Sequence, residues 1–600
     1  MAKDERQIRK INYLSRDFDS IKTDLMEHAK RYYPDTYRDF NESSFGSLML
    51  DTVAYVGDIM SFYLDYSVNE SFMDTAVEYN NVIRHAKSMG YKFKGPSSTH
   101  GIVSIYCIVP AALVGMGPDS DYIPTLKKGA RFTSNDGAAF LLLEDVHFNH
   151  TGDETVAAKF DTTTALPTHY AIKTYGRVVS GQLLQKNIVV GSYEKFRKIK
   201  VGGGNVAEIL SVFDSDGHQY FEVDYLSQDV VYKDIVNKDV AVDNVTSILK
   251  PFKVPRRFVV EREASAIYLQ FGAGSSTEIS SPSVADPTNV VLNMFGRDFV
   301  SDESFDPSML TKTDKFGIVP SSTTITVIYR TTEPGSSNAS VGAIKKVSNS
   351  ELEFPDPTNL DTVKKRDVES SIEVYNEEPI VGSVSIPTTQ ELKRRTYDTF
   401  ATQNRAVTKT DYESLVYAMH PKYGSIKRCN IVRDPDSLKR NLNLYIIGED
   451  DRGKLATANS TIKSNLKYWL NQYRMINDTI DILDAKIVNI GIEFHVVSHR
   501  DANRFDVLHA ATTALKKKFP QPLYIGEPIY ISDIYTALNK VENVVSVKKV
   551  KIVNKQGTNY SSTRFDIRAN TGADGSYVKV PENVVVEVKY PNLDIKGTVE

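Results

Sequence analysis

Cysteine is almost absent from this chain, whose 600 residues include only Cys107 and Cys429. Two thiols so far apart cannot build a disulfide framework or supply a four-cysteine zinc site. Each is expected to be a small buried apolar side chain rather than a reactive thiol. The fold must therefore be held by packed cores, for which an apolar fraction of 41% is ample.

Long apolar runs and a strong charge of either sign are also missing. The longest apolar run, residues 105–116, is too short to span a bilayer and contains Pro110. The opening MAKDERQIRK is not followed by the apolar stretch of a secretory signal. With 72 basic and 76 acidic residues, the chain lacks the basic footprint of a nucleic-acid-binding protein. We therefore expect neither a membrane nor a nucleic acid as a partner.

Signatures of catalysis and metal binding are not found either. The run Gly202–Gly204 is not followed by Gly-Lys-Ser/Thr, so it is interpreted as a turn rather than a phosphate loop. His495 and His499 lie in a predicted strand, where a spacing of four does not converge on a metal. No His-Glu-x-x-His or Gly-x-Ser-x-Gly motif occurs. The sequence therefore predicts no catalytic, cofactor-binding or metal-ligating residue.

What the chain does contain is a segment, Asn41–Ala76, with the periodicity of a long helix carrying two apolar flanks. A surface helix needs one apolar face, so a helix with two is predicted to lie between at least two neighbours. One flank steps by four and three, the spacing of a coiled-coil seam: Met49, Val53, Val56, Met60 and Tyr63. The other follows one position behind: Leu48, Thr52, Tyr55, Ile59, Phe62 and Tyr66.

The neighbours of this helix could belong to its own chain or to other chains. Burying about ten such side chains gives on the order of 15–30 kcal/mol gross, whereas association costs about 4–15 kcal/mol. The energetics therefore allow an intermolecular bundle, and packing within the chain is the open alternative. On a third face, Asp51, Asp58 and Asp65 recur every seven residues. This stripe is either a solvated face or a docking site for a basic partner.

The pattern along the chain predicts a multidomain α+β protein with an N-terminal helical bundle segment, β-rich middle domains and C-terminal α/β subdomains. Six hundred residues exceed a single core, and the 33 Tyr and 26 Phe against one Trp favour strands. The predicted domains are residues 1–94 (helical), 95–260 (β-rich), 261–386 (β, with a long insert at 273–322), 387–484 (α/β) and 485–600 (α/β).

A polar cluster opens a predicted helix at 408–419 and contains Arg405, Thr408, Asp411 and Tyr412. Thr410 with Glu413 fits a capping box, and Thr408 with Asp411 is an alternative frame. Capping is the favoured role of Thr408, whereas Arg405 is open between a local role and an intersubunit ion pair. In the same way, Ser532 and Asp533 are predicted to cap a helix at 530–541.

Three ordered blocks carry a resemblance to a known family. They are Asn41–Gly90, then Ile267–Gly274 with Ile325–Arg330, and finally Asn404–Glu413 with Gly526–Ile534. Together they resemble the baseplate J-like family of contractile injection machines, with the greatest likeness to the large wedge proteins of T4-like phage baseplates. Compact members of that family lack the insert at 273–322, which is expected to contact partners that simpler machines lack.

The resemblance implies a structural protein of the inner ring of a sixfold baseplate, present in two copies per wedge. Its N-terminal helices would join a helix of another wedge protein in a three-helix bundle. The C-terminal half would make copy-to-copy contacts, a small sheath-initiator protein would dock on the bundle, and a small clamp protein would hold neighbouring copies. The implied location is the virion tail baseplate, assembled in the host cytoplasm, with no cofactor and no enzymatic activity.

Two alternatives and one mechanical expectation complete the sequence-based interpretation. The same architecture could serve a non-phage contractile injection system, and a tail-associated cell-wall hydrolase using two carboxylates is the alternative from another class. A ring that stays closed while the baseplate widens needs hinges between rigid domains. Gly95–Ser98 and the region of Pro387 are the predicted hinges, because composition shifts there.

Overall fold

The structure is a computed structural model that forms two compact units. Unit 1 comprises residues 1–91 with 387–397, and unit 2 comprises residues 92–386 with 398–600. The residues described are 17–33, 41, 44–112, 117–149, 153–162, 166–236, 247–263, 265–275, 316–333, 337–356, 360–434, 441–450, 452–519 and 522–600. Most of the predicted insert at 273–322 lies outside these residues.

Two predicted helices begin within one residue of their predicted starts, since the helix predicted at 408–419 begins at Lys409 and the one predicted at 530–541 begins at Ile531. In chain order the helices are α1 (Phe18–Tyr32), α2 (Phe45–Glu70), α3 (Tyr79–Ser88), α4 (Thr362–Ser370), α5 (Thr389–Thr402), α6 (Lys409–Tyr417), α7 (Ser460–Asn471), α8 (Arg504–Lys518), α9 (Ile531–Asn539) and α10 (Pro591–Asp594). The helix predicted at 41–76 is shorter at both ends. It begins after Ser44, which caps it by accepting a hydrogen bond from Ser47 N, and it ends at Glu70.

Within the described residues, the strands all lie in unit 2. In chain order they are β1 (His100–Pro110), β2 (Thr125–Leu126), β3 (Arg131–Ser134), β4 (Ala139–Leu142), β5 (Val146–His147), β6 (Glu154–Phe160), β7 (Pro167–Ser180), β8 (Gln182–Val190), β9 (Lys198–Gly203), β10 (Val206–Phe213), β11 (Gln219–Glu222), β12 (Val230–Val236), β13 (Ser247–Lys253), β14 (Arg257–Arg262), β15 (Ala266–Phe271), β16 (Thr323–Thr331), β17 (Ile344–Asn349), β18 (Leu352–Glu353), β19 (Glu373–Tyr375), β20 (Arg428–Arg433), β21 (Asn441–Glu449), β22 (Leu455–Ala456), β23 (Thr479–Asp484), β24 (Lys486–Ser498), β25 (Ile529–Tyr530), β26 (Val544–Lys555), β27 (Tyr577–Val578), β28 (Val584–Glu587) and β29 (Ile595–Val599).

Two seven-stranded sheets form the middle of the chain. The first has the order β17-β3-β4-β7-β1-β19, with β6 paired to β7, and buries Ile105, Phe132 and Phe140 in its core. The second has the order β8-β16-β10-β11-β14-β15-β9. Its outer strands approach each other, since Lys186 Nζ on β8 donates to Val201 O on β9 over 2.8 Å. The second sheet is therefore a nearly closed barrel.

Two mixed sheets with helices follow. In one, β20, β21 and β22 are antiparallel neighbours and β23 joins β21 in parallel, with Leu444 and Leu466 in the core. In the other, β24 pairs with β26 antiparallel and with β28 and β29 in parallel. Parallel strands need crossovers, and here the crossovers hold helices. The predicted multidomain α+β fold is confirmed, while the predicted domain boundaries stay predictions.

Helix α7 begins at Ser460, after Leu455–Ala456 pairs with β21 as strand β22. The predicted hinge at Gly95–Ser98 is packed within unit 2. The segment 96–100, which includes most of the Gly95–Ser98 hinge, is buried. Ser98 N donates to Pro421 O over 3.2 Å and Ser97 Oγ to Gly382 O over 2.8 Å. Rotation at this junction would break those bonds, and the hinge at Gly95–Ser98 stays a prediction.

Candidate functional site

The candidate site is the surface of α2, and one face of this helix is covered by α1. Ser47 and Ala54 are buried on that face. Gly57 lies directly under α1, since a Cβ there would be in ordinary van der Waals contact, at 3.4 Å, with two Ile21 side-chain carbons. Lys22 Nζ on α1 lies 2.8 Å from Asp51 Oδ1 on α2. Small residues and an ion pair thus hold the two helices together.

The two apolar flanks of α2 are left open by the described part of the chain. Of the eight bundle residues predicted from sequence, Ile59 is partly buried. The other seven have 49–65% of their surface exposed: Met49, Val53, Tyr55, Val56, Met60, Phe62 and Tyr63. Phe62 lies next to Tyr63 and Tyr66, with ring centroids 5.9 and 6.4 Å away. An exposed apolar surface of this extent marks an interaction site.

The exposed surface is larger than the four-three pattern indicated. Phe45, Leu64 and Val68 on α2 and Phe72 just beyond it are 51–73% exposed and were not among the predicted interface residues. Phe45 lies three residues before Leu48 and continues the second four-three series, whereas Leu64, Val68 and Phe72 fall outside both series. For these three residues, apolar character alone was the available signal.

The aspartate stripe of α2 lies on the same face as the small residues. Asp51, Asp58 and Asp65 are each partly buried rather than fully solvated. Asp51 has an intrachain cation, Lys22, at 2.8 Å. At Asp51, therefore, the acidic group stabilises the helix pair within the chain and is not open to an external basic partner.

The end of α2 is fixed by Glu70, a residue that the sequence analysis did not single out. Glu70 is 9% exposed and its carboxylate accepts from Val77 N over 2.8 Å and from Asn81 Nδ2 over 2.9 Å. The hydrogen bond from Asn81, followed by that from Val77, holds the pKa of Glu70 below its usual value. These bonds join the end of α2 to the beginning of α3, so the orientation of the exposed helix is defined.

Residues 387–397, which include the first part of α5, also belong to unit 1. Tyr397 Oη donates to Asp74 Oδ1 over 2.6 Å, and Lys393 Nζ donates to Asp74 O over 2.7 Å. Asp74 lies in the segment that connects α2 and α3. A segment more than 300 residues away in sequence therefore stabilises the connection between α2 and α3.

The polar cluster at the start of α6 separates into a structural part and an exposed arginine. Thr408 Oγ1 accepts from Asp411 N over 3.2 Å, and Asp411 Oδ2 accepts from Thr408 N over 2.8 Å, so these two residues form the capping box. Tyr412 is buried and donates to Asp478 Oδ2 over 2.9 Å, and its burial raises its pKa. Arg405 lies apart, exposed at the surface.

The predicted side-chain cap of the helix at 530–541 is wrong. The helix α9 begins at Ile531, its N-cap residue is Tyr530, and no side chain caps it. Ser532 is already inside the helix and cannot act as its cap. Asp533 lies in the first turn and binds Lys518 Nζ over 2.9 Å. The negative charge favours this helix end, as expected, but it also has a local cation.

The described residues include one group that offers metal-ligand atoms close together. Asp214, Asp216 and His218 have such atoms within 4.8 Å of one another. Asp214 Oδ1 already accepts from Asp216 N and His218 N over 3.0 and 2.8 Å, which closes the turn between β10 and β11.

A cavity of about 80 Å³, lined in part by Ile490, is much smaller than a typical ligand pocket.

No helix among the described residues has the length and apolarity needed to cross a membrane.

His495 lies on β24 and places Nε2 3.3 Å from a Glu600 carboxylate oxygen. Gly202 and Gly203 end strand β9, and Gly204 follows in a turn. These residues therefore take part in ordinary strand and turn structure.

Comparison with known proteins gives one family match, which covers the N-terminal helices. The family described as "Bacteriophage baseplate protein, N-terminal domain" matches residues 17–88, which hold α1, α2 and α3. Among solved structures, the chain matches the cryo-EM structure of the anti-feeding prophage (AFP) baseplate, 6-fold symmetrised, with 10% identity and a TM-score of 0.25. That match covers 94% of this chain and 89% of the other, and its TM-score is too low to carry an argument. No curated protein matches the chain.

The segment that matches the family is also the segment that exposes the two apolar flanks. Residues 17–88 have the helical hairpin, the braced end of α2 and the open apolar surface. This chain is therefore similar, over residues 17–88, to the N-terminal domain of bacteriophage baseplate proteins, and the match supports a structural role in a tail baseplate.

Proposed function

We propose that this chain is a baseplate J-like wedge protein of the inner ring of a contractile tail, and that α2 is its assembly helix. In this proposal, two copies and a helix of another wedge protein form a bundle through the open flanks of α2. The observation that carries the proposal is the exposure of both flanks within a segment that matches a baseplate N-terminal domain. The protein acts as a scaffold rather than as an enzyme.

The number of open faces on α2 supports a bundle in which α2 has two further helical neighbours. The helix α1 occupies the face with Ser47, Ala54 and Gly57, and two flanks remain. A helix with two open apolar flanks needs two further helical neighbours to exclude water from both. A second copy and one helix from another protein meet that need.

The energy of the bundle supports a permanent rather than a transient assembly. On α2, twelve large apolar side chains are 41–73% exposed: Phe45, Leu48, Met49, Val53, Tyr55, Val56, Met60, Phe62, Tyr63, Leu64, Tyr66 and Val68. Burying the remaining half of each gives on the order of 10–20 kcal/mol gross per chain. This is comparable with, or larger than, the cost of association of about 4–15 kcal/mol.

The remaining contacts of the proposed scaffold are those that the resemblance to the baseplate J-like family implies. Copies in neighbouring wedges of a sixfold ring contact each other through the C-terminal half. A small sheath-initiator protein docks on the bundle and a small clamp protein holds neighbouring copies. The location is the virion tail baseplate, reached after assembly in the host cytoplasm.

The proposal is tested by mass photometry of the purified chain, alone and mixed with products of neighbouring tail genes. We expect dimers alone, and a heterotrimer when a partner with a long apolar helix is added. Met60→Glu should abolish the heterotrimer, because it places a charge in the middle of one flank. Val189→Glu is the matched control, since Val189 is 84% exposed on β8, away from α2. A chain that stays monomeric with every partner would overturn the proposal.

A further inference from the structure

Two histidines lie at one contact inside unit 2, where the start of β1 meets the chain after α6. His100 is the first residue of β1 and is 7% exposed. His420 is the N-cap residue of a short 3₁₀ helix, Pro421–Tyr423. His100 Nε2 donates a hydrogen bond to Lys422 O inside this short helix. One histidine therefore belongs to each side of this contact, which we call the His100–His420 contact.

The same contact holds the hinge that the sequence predicts before β1. Within the hinge, Ser98 N donates to Pro421 O over 3.2 Å. Just before it, Lys94 Nζ donates to Tyr417 O over 3.0 Å. Just after it, His100 binds the short helix. Both ends of the predicted hinge are therefore bound to the end of α6 and the short helix, and a rotation there requires this contact to open.

The hydrogen bonds of this contact require a neutral His420. A backbone N–H can only donate, so His420 Nδ1, 3.2 Å from Lys422 N, is the acceptor and has no proton. Protonation of Nδ1 would place two donors opposite each other and remove the cap of the short helix. At His100, the carbonyl of Lys422 can only accept, so this ring has a proton on Nε2. A charged His420 is therefore incompatible with the closed contact.

The charged groups that face His420 are mainly cations from three parts of the chain. Lys422 lies in the short helix, Lys94 precedes β1 and Arg262 lies on β14. Asp224, which follows β11, is the opposing acid. Burial, followed by the three cations, lowers the pKa of His420 to about 3. The surroundings therefore oppose a proton on this ring.

His100 faces arginines from two strands. Arg330 on β16 and Arg177 on β7 both oppose a positive charge on this ring. Burial, followed by the Arg330 charge, lowers the pKa of His100 to about 4. His100 is therefore expected to be neutral near pH 7, like His420.

The acids at this contact already face cations. Glu208 accepts from Arg330 Nη2 over 2.7 Å, and Asp224 lies 2.6 Å from Lys92 Nζ. Glu222 on β11 also faces an arginine and a lysine. A proton added to either histidine would therefore increase the positive charge of the contact rather than neutralise a free acid.

We propose that His100 and His420 form an acid-sensitive latch, which keeps the hinge at Gly95–Ser98 closed while both rings are neutral and releases it when they gain protons. In the open contact each ring regains the ordinary histidine pKa of about 6.5. Opening therefore takes up protons, so the closed state is most stable above about pH 6.5 and loses stability as the pH falls toward the pKa values of the closed state. This inference does not rest on the α2 bundle, because the latch lies entirely in unit 2.

The single tryptophan of the chain gives a local readout of the latch. The ring centroid of Trp469 lies 6.4 Å from that of Tyr423 in the short helix. In the full chain, we expect a reversible change of tryptophan fluorescence between about pH 6.5 and about pH 4, while the far-ultraviolet circular dichroism stays constant. The opening equilibrium should shift by up to about tenfold per pH unit for each histidine. No fluorescence change before the secondary structure is lost would overturn the proposal.

Two substitutions remove the titration but keep the hydrogen bonds. In His420→Asn the amide oxygen can still accept from Lys422 N, and in His100→Gln the amide nitrogen can still donate to Lys422 O. Each single variant should halve the dependence of opening on pH, and the double variant should lose it. The single variants decide the outcome if the double variant is unfolded near pH 7. His499→Gln, at an exposed histidine outside the contact, is the matched control and should titrate like the natural chain. Unchanged titration of the substituted chains would refute the latch.

Hydrogen exchange shows whether the hinge itself opens. After correction for the intrinsic effect of pH, the amides of Ser98 and Lys422 should exchange faster at about pH 5 than at about pH 7, because both are bonded within the contact. The amides of strand β24 should not change and serve as the internal control. Equal acceleration in β24 would mean that acid loosens the whole unit and would contradict a local latch.

Discussion

At the scale of single residues, buried charges in unit 2 bind parts of the chain that are distant in sequence. Arg330 is 3% exposed, and its Nη2 donates to Glu208 Oε2 over 2.7 Å and to Ser98 Oγ over 2.9 Å. Burial lowers the pKa of the neighbouring His100 to about 4, and the Arg330 charge adds to this shift. Buried ion pairs of this kind are sensitive to the loss of one partner.

Arg330→Met should lower the free energy of unfolding by about 3 kcal/mol, because Glu208 then loses its cation while it stays partly buried. Chemical denaturation measures the change. Arg177→Met is the matched control, since Arg177 pairs with Glu144 over 2.8 Å at the surface, where both side chains are at least 40% exposed. Its loss should cost about 0–1 kcal/mol. Equal costs for both variants would contradict the role of burial.

The capping box gives a second prediction at this scale. Thr408→Ala should destabilise unit 2 by about 0.5–2 kcal/mol, because Asp411 N loses its acceptor. Thr410→Ala, two residues away, should have a much smaller effect, since Thr410 is not the cap. Thermal unfolding of the two variants decides between the frames. A larger loss for Thr410→Ala would mean that the cap is misassigned.

At the scale of elements, α2 is amphipathic in an unusual way, since its small and acidic residues are inside and its large apolar residues are outside. The covered stripe contains Ser47, Ala54 and Gly57, with Asp51 paired to Lys22. Helices approach closely where side chains are small, so α1 can lie against this stripe. The large apolar residues then remain for other helices.

Gly57 tests this division of faces. A Cβ at Gly57 would sit in ordinary contact with Ile21, so Gly57→Ala should be tolerated and should favour the helix by up to about 1 kcal/mol. Gly57→Phe cannot fit under α1 and should release it. Limited proteolysis measures the effect, with α1 cleaved faster in Gly57→Phe than in Gly57→Ala. Equal cleavage in both variants would show that α1 does not depend on this contact.

At the scale of the whole molecule, unit 2 is bound together by hydrogen bonds that cross the predicted domain boundaries. Asn338 Nδ2 donates to Ser383 O and to Glu449 O over 3.1 and 2.9 Å, and Thr99 Oγ1 donates to Ser337 O over 2.6 Å. These bonds join segments assigned from sequence to three different domains. These three segments of unit 2 are therefore expected to move together rather than as separate domains.

Hydrogen exchange tests this rigidity. The amides of Ser98, Thr99 and Ser180 are bonded to Pro421 O, Ser180 Oγ and Thr99 O, so they should exchange as slowly as core strands. Peptides covering 96–100 can be compared with peptides from the exposed strand β6 in the same experiment. Fast exchange at 96–100 would support the predicted hinge at Gly95–Ser98 and contradict this expectation.

The sequence by itself determined what is encoded locally. The four-three period of Met49 to Tyr63 predicted a helix and identified its apolar flanks, and the structure leaves those flanks exposed. Thr408 with Asp411 was one of two possible capping frames, and both frames follow from spacing alone. Periodicity and capping depend on neighbours within a few residues, so they can be predicted without knowing the fold.

Only the tertiary structure decided what covers each face. Lys22 on α1 reaches the aspartate stripe, Tyr397 braces the segment after α2, and Arg330 holds Ser98 from a position 232 residues away. Glu70 drew no attention in the sequence, because its partners are backbone amides and an asparagine. Such contacts depend on how distant segments are brought together, and local patterns carry no information about that choice.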